Sequence, residues 1–241
     1  MIIKTAGIVL HSIKYGETSL VVRIFTRQHG VQSYLVQGVR KAKARMHHNL
    51  FQPLTIVDLV VYHKEQAGLH RIKEIQCPEP YHSIPLDILK TTIVLFLTEV
   101  LTNTLKESDA SPNMFDFVEN ALRHLDRAPG KVSDFHLVFM LQLSRFLGFS
   151  PRNNYDEHHR FFNLGEGVFQ NTFHDPQKCL DQELSMHLNT LINTSQEDLD
   201  TLNINGPQRR VLLNKIIDYY RYHLEGLREM HSHLILENVL H

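Results

Sequence analysis

The chain has 241 residues, 42% of them hydrophobic, and carries 25 Lys and Arg against 26 Asp and Glu. This length accommodates one large domain or two small ones, each with its own core. No apolar run reaches the roughly 18 residues that span a bilayer, and residues 1–5 lack the pattern of a signal peptide. Two cysteines, Cys77 and Cys179, exclude a disulfide scaffold and fit a reducing compartment. We therefore expect a cytoplasmic protein that does not bind membranes.

Positive charge is concentrated in the first third of the chain. Residues 1–80 contain 11 Lys and Arg and 5 Asp and Glu, a net charge of +6, whereas residues 81–241 contain 14 and 21, a net charge of −7. The densest stretch, at residues 40–45, holds Arg40, Lys41, Lys43 and Arg45. A basic segment on a nearly neutral chain indicates an anionic polymer as the partner, and nucleic acid is the commonest one.

Residues 1–79 are predicted to form a small β domain. Five runs rich in β-branched residues, separated by turn-forming residues, predict strands at 3–13, 19–27, 30–39, 54–62 and 69–75. Five short strands in this length predict a closed barrel. The OB-fold is the five-stranded barrel that most often binds single-stranded nucleic acid, although an SH3-like barrel fits the strand count nearly as well.

The second predicted strand presents a candidate binding face, because side chains alternate along a strand. One face carries Arg23, Phe25 and Arg27, which are cations around an aromatic ring. A surface that follows a nucleic-acid backbone and stacks on bases needs this combination. Lys14 and Lys73 would extend the same track. The alternative is that Phe25 belongs to the barrel core and the arginines are only solvated.

From residue 80 onward the pattern is helical, after a boundary marked by Pro78 and Pro80. Ser111 and Pro112 are typical of the N-cap and first position of a helix, and Gly148 of a helix end. Residues 152–183 are predicted to be irregular. The sequence thus predicts an α+β chain whose α-helical domain, 80–241, has helices at 84–106, 112–127, 133–147, 197–202, 207–227 and 231–239.

Motifs along nearly the whole chain resemble the bacterial RecO family of recombination mediators. Those in the β domain are Thr5-Ala6-Gly7-Ile8-Val9-Leu10, Tyr15-Gly16-Glu17, Phe25-Thr26-Arg27-Gln28-His29-Gly30 and Gln37-Gly38-Val39-Arg40. Those in the helical domain are Phe146-Leu147-Gly148-Phe149-Ser150-Pro151 and Tyr219-Tyr220-Arg221-Tyr222-His223-Leu224. Each motif is modest alone, and it is their order and spacing that carry the resemblance.

The resemblance implies an OB-fold followed by an α-helical domain in a cytoplasmic, nucleoid-associated protein. It implies binding to single- and double-stranded DNA, annealing of complementary strands, and action with the RecR clamp and the single-strand-binding protein to load the RecA recombinase. It implies no catalytic residues, and the sequence has no Walker A loop, G-x-S-x-G or H-E-x-x-H motif. The alternative is an RNA-binding barrel of translation or RNA metabolism, because charge alone does not distinguish RNA from DNA.

The zinc module of the family is degenerate in this sequence. Many members carry two Cys-x-x-Cys pairs after the Leu-Gly-Phe segment, but here the only cysteine in that region is Cys179, so a four-thiolate site is impossible. We expect no cofactor. A mixed metal site of His158, His159, His174 and Cys179 is the alternative to an apolar cluster of Tyr155, Phe161, Phe162, Phe169 and Phe173.

The net negative charge of the helical domain favours protein partners over DNA. The acidic, apolar C-terminal tail of the single-strand-binding protein would need an apolar pocket edged by a cation. Arg145, Leu141 and Phe149 are the candidate residues for such a pocket.

Overall fold

The computed structural model describes residues 1–39, 48–63, 68–106 and 110–240. The predicted basic segment, with Arg40, Lys41, Lys43 and Arg45, lies outside the described residues. The chain forms two compact units, one of Met1–Leu86 and Val94–Asp126, the other of Asp87–Ile93 and Arg127–His241. The first unit therefore extends beyond the predicted domain end at residue 79 and includes the second predicted helix.

Five strands of the first unit close into a barrel with the order β1-β2-β3-β5-β4. β3 and β5 pair in parallel, and the other neighbours pair antiparallel. This closure confirms the predicted five-stranded OB-type barrel. The strands are β1 Ile2–Tyr15, β2 Ser19–Thr26, β3 Gly30–Val36, β4 Ile56–Tyr62 and β5 His70–Gln76.

Alternate side chains of each strand fill the barrel. On β2 these are Leu20, Val22 and Ile24, as the alternation predicts, and each is at most 2% exposed. Gly7 on β1 lies where the wall is tightest, because a Cβ atom there would approach Ile24 Cγ2 to 2.6 Å. The wall thus depends on a glycine at this position.

Two helices follow the barrel, α1 Ile88–Thr104 and α2 Pro112–Arg127. Ser111 Oγ accepts a hydrogen bond from the Met114 N–H at 3.3 Å, and Pro112 occupies the first helical position, as predicted. The carboxylate of Asp126, near the end of α2, accepts hydrogen bonds from the backbone N–H groups of residues 82–84 at 2.8–2.9 Å. These bonds attach the segment after the barrel to α2.

The second unit contains four further helices and a short hairpin. The hairpin corrects the prediction that residues 152–183 are irregular, and α4 is a helix that the sequence analysis did not predict, since its next predicted helix begins at 197. α5 ends at His223, before the predicted 227, since the chain is extended at Leu224. Within the described ranges no helix is both long and apolar enough to cross a membrane. The elements are α3 Phe135–Phe146, β6 Phe161–Asn163, β7 Val168–Gln170, α4 Gln182–Asn193, α5 Gly206–His223 and α6 Ser232–Val239.

Candidate nucleic-acid interface

α2 covers one end of the outer face of β2. Phe25 points outward from β2, yet it is 0% exposed because its ring packs against Phe115 of α2, with the centroids 5.5 Å apart. A buried ring cannot stack on a base. The prediction that Phe25 contacts DNA is therefore wrong, and its ring is buried under α2 rather than in the barrel core that the alternative named.

Arg27, just after β2, is bound to the same helix. Its Nε and Nη2 donate to the two carboxylate oxygens of Asp116 at 2.7 and 2.8 Å. The hydrogen bonds from Arg27 hold the pKa of Asp116 below its usual value. Both side chains are 42% exposed, so Arg27 is still accessible, but a carboxylate balances its charge.

The remainder of the outer face has an apolar row that crosses three strands. Ile13 of β1 pairs with Val21 of β2, and Val21 pairs with Leu35 of β3. Directly paired residues share a face of the sheet, so these side chains form one row. Ile13 is 49% exposed, and Tyr15, two residues along β1 on the same face, is 58% exposed.

Cations flank this row. Arg23 pairs with His11 in the neighbouring row on the same face, and Leu35 pairs with Arg71 of β5. We name the set the outer strip; its members are His11, Ile13, Tyr15, Val21, Arg23, Leu35 and Arg71.

Two other predicted cations lie close to the barrel strands. Lys14 is exposed near the end of β1, but it pairs with Leu20 and so lies on the face opposite to Ile13 and Tyr15. Lys73 of β5 is exposed, and its Nζ lies 3.3 Å from Glu74 Oε1. Of the predicted track, Arg23 thus lies in the outer strip, Lys14 lies on the opposite face of β1, and Arg27 and Lys73 are paired with carboxylates.

The outer strip has the surface chemistry that single-stranded nucleic acid requires. An exposed tyrosine ring and aliphatic side chains offer flat surfaces for bases, and arginines neutralise phosphates. OB-folds bind oligonucleotides on the face of strands 2 and 3 and on the adjoining β1–β2 loop, which is where the strip lies. Tyr15 was not predicted as a site residue because the predicted strand ends at residue 13, whereas β1 continues to Tyr15. Ile13 was not predicted because an apolar residue on a strand usually points into a core.

The candidate pocket for a protein tail is not assembled as predicted. Leu141 is only 4% exposed, because α3 is buried on most sides, so the prediction that it contacts a partner is wrong. Phe149 is half-buried and stacks on His223, with ring centroids 5.5 Å apart. Arg145 is exposed, and its Nη2 donates to the Ile192 carbonyl at 3.3 Å. Of these three candidates, Arg145 is the one whose side chain is exposed.

The residues at the degenerate zinc module do not fit a metal site. Within the described part of the chain, no three His, Cys, Asp or Glu side chains gather closely enough to hold a metal ion. His159 Nδ1 lies 2.9 Å from Asp156 Oδ1, and the buried Cys179 Sγ accepts a hydrogen bond from Gln170 Nε2 at 3.4 Å.

Aromatic packing occupies this region. Phe169 contacts Phe162 and Tyr155 with centroid distances of 4.9 and 5.3 Å. Phe161 contacts Phe173 at 5.6 Å, as a separate pair. The predicted apolar cluster thus forms, in two groups, and the larger group also contacts Tyr219 of α5 through Phe162, at 5.8 Å.

The strand order and the parallel β3–β5 closure define the class: the chain is an OB-fold protein whose barrel is followed by α-helices. Comparison with known proteins gives the family. The family model "Recombination protein O N terminal" matches residues 1–81, and "Recombination protein O C terminal" matches residues 85–233. The chain belongs to the RecO family, and its role lies in DNA repair and recombination.

Curated relatives match over nearly their full lengths. The DNA repair protein RecO of Flavobacterium psychrophilum is 36% identical over 240 residues, which is 99% of each chain. Those of Flavobacterium johnsoniae and Phocaeicola vulgatus are 34% and 32% identical, again over 99% of each chain. The similarity to the family therefore covers nearly the whole chain and is not confined to the short motifs.

Proposed function

We propose that the protein is a recombination mediator that binds single- and double-stranded DNA and anneals complementary strands. It would act with RecR and with the tail of the single-strand-binding protein to help load RecA onto coated strands. The observation that supports this proposal is the outer strip on the barrel of a RecO-family chain, where Tyr15 and Ile13 are exposed between cations.

Annealing without a fuel requires that the repulsion between two strands be lowered. Cations achieve this by neutralising phosphates and releasing counterions. Arg23 and Arg71 would contribute from the strip, and the predicted basic segment would add four cations soon after β3. The bases stay available for pairing when they stack transiently on Tyr15 rather than being bound in a pocket. The energy for pairing then comes from the DNA itself.

A strand-annealing assay tests the proposal most directly. The protein should accelerate annealing of complementary oligonucleotides, bare and coated with single-strand-binding protein, and the acceleration should fade as salt rises through the physiological range. Annealing should proceed equally with no nucleotide, with ATP or with a non-hydrolysable analogue, since the sequence has no phosphate-binding loop. No acceleration under any of these conditions would contradict annealing as the function.

Replacing the basic segment tests where the affinity for DNA resides. Changing Arg40, Lys41, Lys43 and Arg45 to Ala should weaken binding to all single strands alike. The slope of log affinity against log salt should fall in magnitude by roughly two to three, at about 0.7 per lost phosphate contact. An unchanged slope would place the phosphate contacts elsewhere.

Competition between matched DNA and RNA strands decides between the proposal and an RNA-binding role. We expect DNA to compete at least as well as RNA for the barrel. A strong preference for RNA would favour the alternative of an RNA-binding barrel.

Binding of the acidic tail peptide of the single-strand-binding protein tests whether the helical unit holds this partner. Arg145→Ala should weaken binding of this peptide, because Arg145 is the exposed cation among the candidates. Arg152→Ala, an exposed arginine of the same unit, is the control and should bind like the wild type. Equal weakening in both variants would indicate an effect of net charge alone.

A further inference from the structure

Three histidine rings stack in a column at one end of the barrel. His29 in the β2–β3 turn stacks on His63 with centroids 4.8 Å apart, and His63 stacks on His70 at 4.7 Å, with interplanar angles of 27° and 18°. The ring of Tyr34 on β3 follows at 5.8 Å from His70. The column runs from the half-buried His29 to the fully buried Tyr34. It joins the β2–β3 turn to the end of β4 and the start of β5.

The hydrogen bonds around the column fix how His70 carries its proton. Gln32 Nε2 donates to the His29 carbonyl at 2.7 Å, which orients the Gln32 amide. Its Oε1 therefore faces His70 Nε2, at 2.9 Å. An amide oxygen only accepts, so Nε2 of His70 is the protonated nitrogen and Nδ1 is the bare one.

A second proton on His70 has no favourable place to bind. His70 is only 4% exposed, and within the described residues its Nδ1 has no hydrogen-bond partner. Protonation would bury an N–H and a positive charge together, both of which are unfavourable. The neutral ring is thus the form that fits the closed barrel.

Among the described residues, no acidic group is a cause of the pKa shifts of His29 and His70, so none of them offsets such a charge. From β1, the Met1 ammonium donates to the His63 carbonyl at 2.9 Å. The nearest arginines in the sequence are directed elsewhere, since Arg27 after β2 is paired with Asp116 and Arg71 of β5 is exposed on the outer strip. Gln32 and Tyr34 are neutral, and within the described ranges the charges that act on His29 and His70 are the other imidazoles of the column.

We propose that the histidine column is a proton-responsive switch in the barrel: its neutral rings tie the β2–β3 turn to the ends of β4 and β5, and protonation releases this tie. Burial, and then the charge of His63, lower the pKa of both His29 and His70 below 6.5. Histidines released from the column therefore take up protons at higher pH than the stacked ones do. The contact between the β2–β3 turn and the ends of β4 and β5 is fully stable above pH 6.5, and its stability decreases as pH falls below 6.5.

Ring NMR of the full-length chain with labelled histidine tests the switch, without nucleic acid. Between pH 8 and pH 5, His29 and His70 should titrate with midpoints below 6.5. The His63 N–H, bound to the Met1 carbonyl at 2.9 Å, reports the closed barrel end by hydrogen exchange. Its protection should fall by up to about tenfold per pH unit between pH 6.5 and the observed midpoints, for each proton taken up on opening. Midpoints at or above 6.5, or unchanged protection, would overturn the proposal.

Two variants separate the column from general acid sensitivity. His63→Phe keeps a planar ring in the stack and removes the central charge, so the midpoints of His29 and His70 should move up towards 6.5. His70→Phe removes the buried titrating group and should reduce the pH-dependent loss of protection. His48→Gln changes an exposed histidine of the same unit, outside both the column and the outer strip, and its column should titrate and exchange like that of the wild type. If the two column variants also behave like the wild type, the switch does not lie in the column.

Discussion

Phe25 of β2 and Phe115 of α2 pack against each other on the outer wall of the barrel, with ring centroids 5.5 Å apart, the ring planes tilted by 55° and neither ring exposed. This contact occupies the part of the wall where an aromatic residue between arginines had indicated base stacking. Tyr15, on the uncovered part of the same wall, is 58% exposed. The two aromatics therefore have separable roles, one in stability and one in binding.

Alanine substitutions should separate these roles. Phe25→Ala removes a fully buried ring and should lower the free energy of unfolding by about 3–5 kcal/mol. Tyr15→Ala removes an exposed ring and should change it by less than about 0.5 kcal/mol. It should weaken single-stranded DNA binding by about 1–3 kcal/mol, the value of one stacked base. Urea unfolding and fluorescence anisotropy with a labelled oligonucleotide measure the two quantities. Wild-type affinity in Tyr15→Ala would exclude the outer strip as the stacking surface.

Local patterns in the sequence were sufficient to predict the barrel and the start of α2. Period-two alternation placed Leu20, Val22 and Ile24 on one face, and they fill the core. The alternation also placed Phe25 correctly on the outer face. What covers that face is α2, about ninety residues further along the chain, and no local pattern contains that information.

The missed elements have different physical causes. α4 does carry a start signal, since the Asp181 carboxylate accepts a hydrogen bond from the Leu184 N–H at 2.9 Å. Its apolar residues, among them Leu188 and Leu191, have helical spacing, but they are diluted by polar neighbours. The strands β6 and β7 are three residues each, too short for a period to be visible. At the candidate site, the exposure of the ring decides whether Tyr15 or Phe25 can stack on a base. This exposure depends on tertiary packing, which a local sequence pattern does not contain.

Gly7 should not tolerate a side chain. In Gly7→Ala the new Cβ would lie 2.6 Å from Ile24 Cγ2 and 3.0 Å from Leu59 Cδ1, inside the packed wall. We expect overpacking to lower the free energy of unfolding by about 1–3 kcal/mol. Gly68→Ala is the control, because within the described parts of the chain, its direct neighbours aside, no heavy atom lies within 4 Å of the added Cβ. It should stay within about 0.5 kcal/mol of the wild type in urea unfolding. A wild-type midpoint for Gly7→Ala would mean that the wall is looser than its contacts indicate.

Removal of metal should leave the fold unchanged. A chelator should not alter the melting temperature, because packing between Phe162, Phe169 and Tyr219 replaces metal-binding energy in the second unit. Phe169→Ala, by contrast, should lower the free energy of unfolding by about 3–5 kcal/mol, since this ring is only 1% exposed. Stoichiometric zinc in the purified protein, together with a chelator-induced drop in melting temperature, would contradict the prediction.

The second unit should lose stability in acid because of one buried histidine. His136 of α3 is 0% exposed, and burial, followed by the charge of Arg209, lowers its pKa to about 3. As pH falls below 6.5, the ordinary value, the unfolded chain takes up a proton that the folded chain does not. The free energy of unfolding is therefore complete above pH 6.5 and should fall by up to about 1.4 kcal/mol per pH unit below it, down to the folded-state pKa.

His136→Leu should remove this slope for the second unit, because a leucine side chain does not titrate. Hydrogen exchange of the α3 amides across a pH series isolates the unit from the histidine column of the barrel. His174→Gln, which changes an exposed histidine of the same unit, should keep the wild-type slope. An equal slope in His136→Leu and wild type would show that the acid sensitivity of this unit comes from groups other than His136.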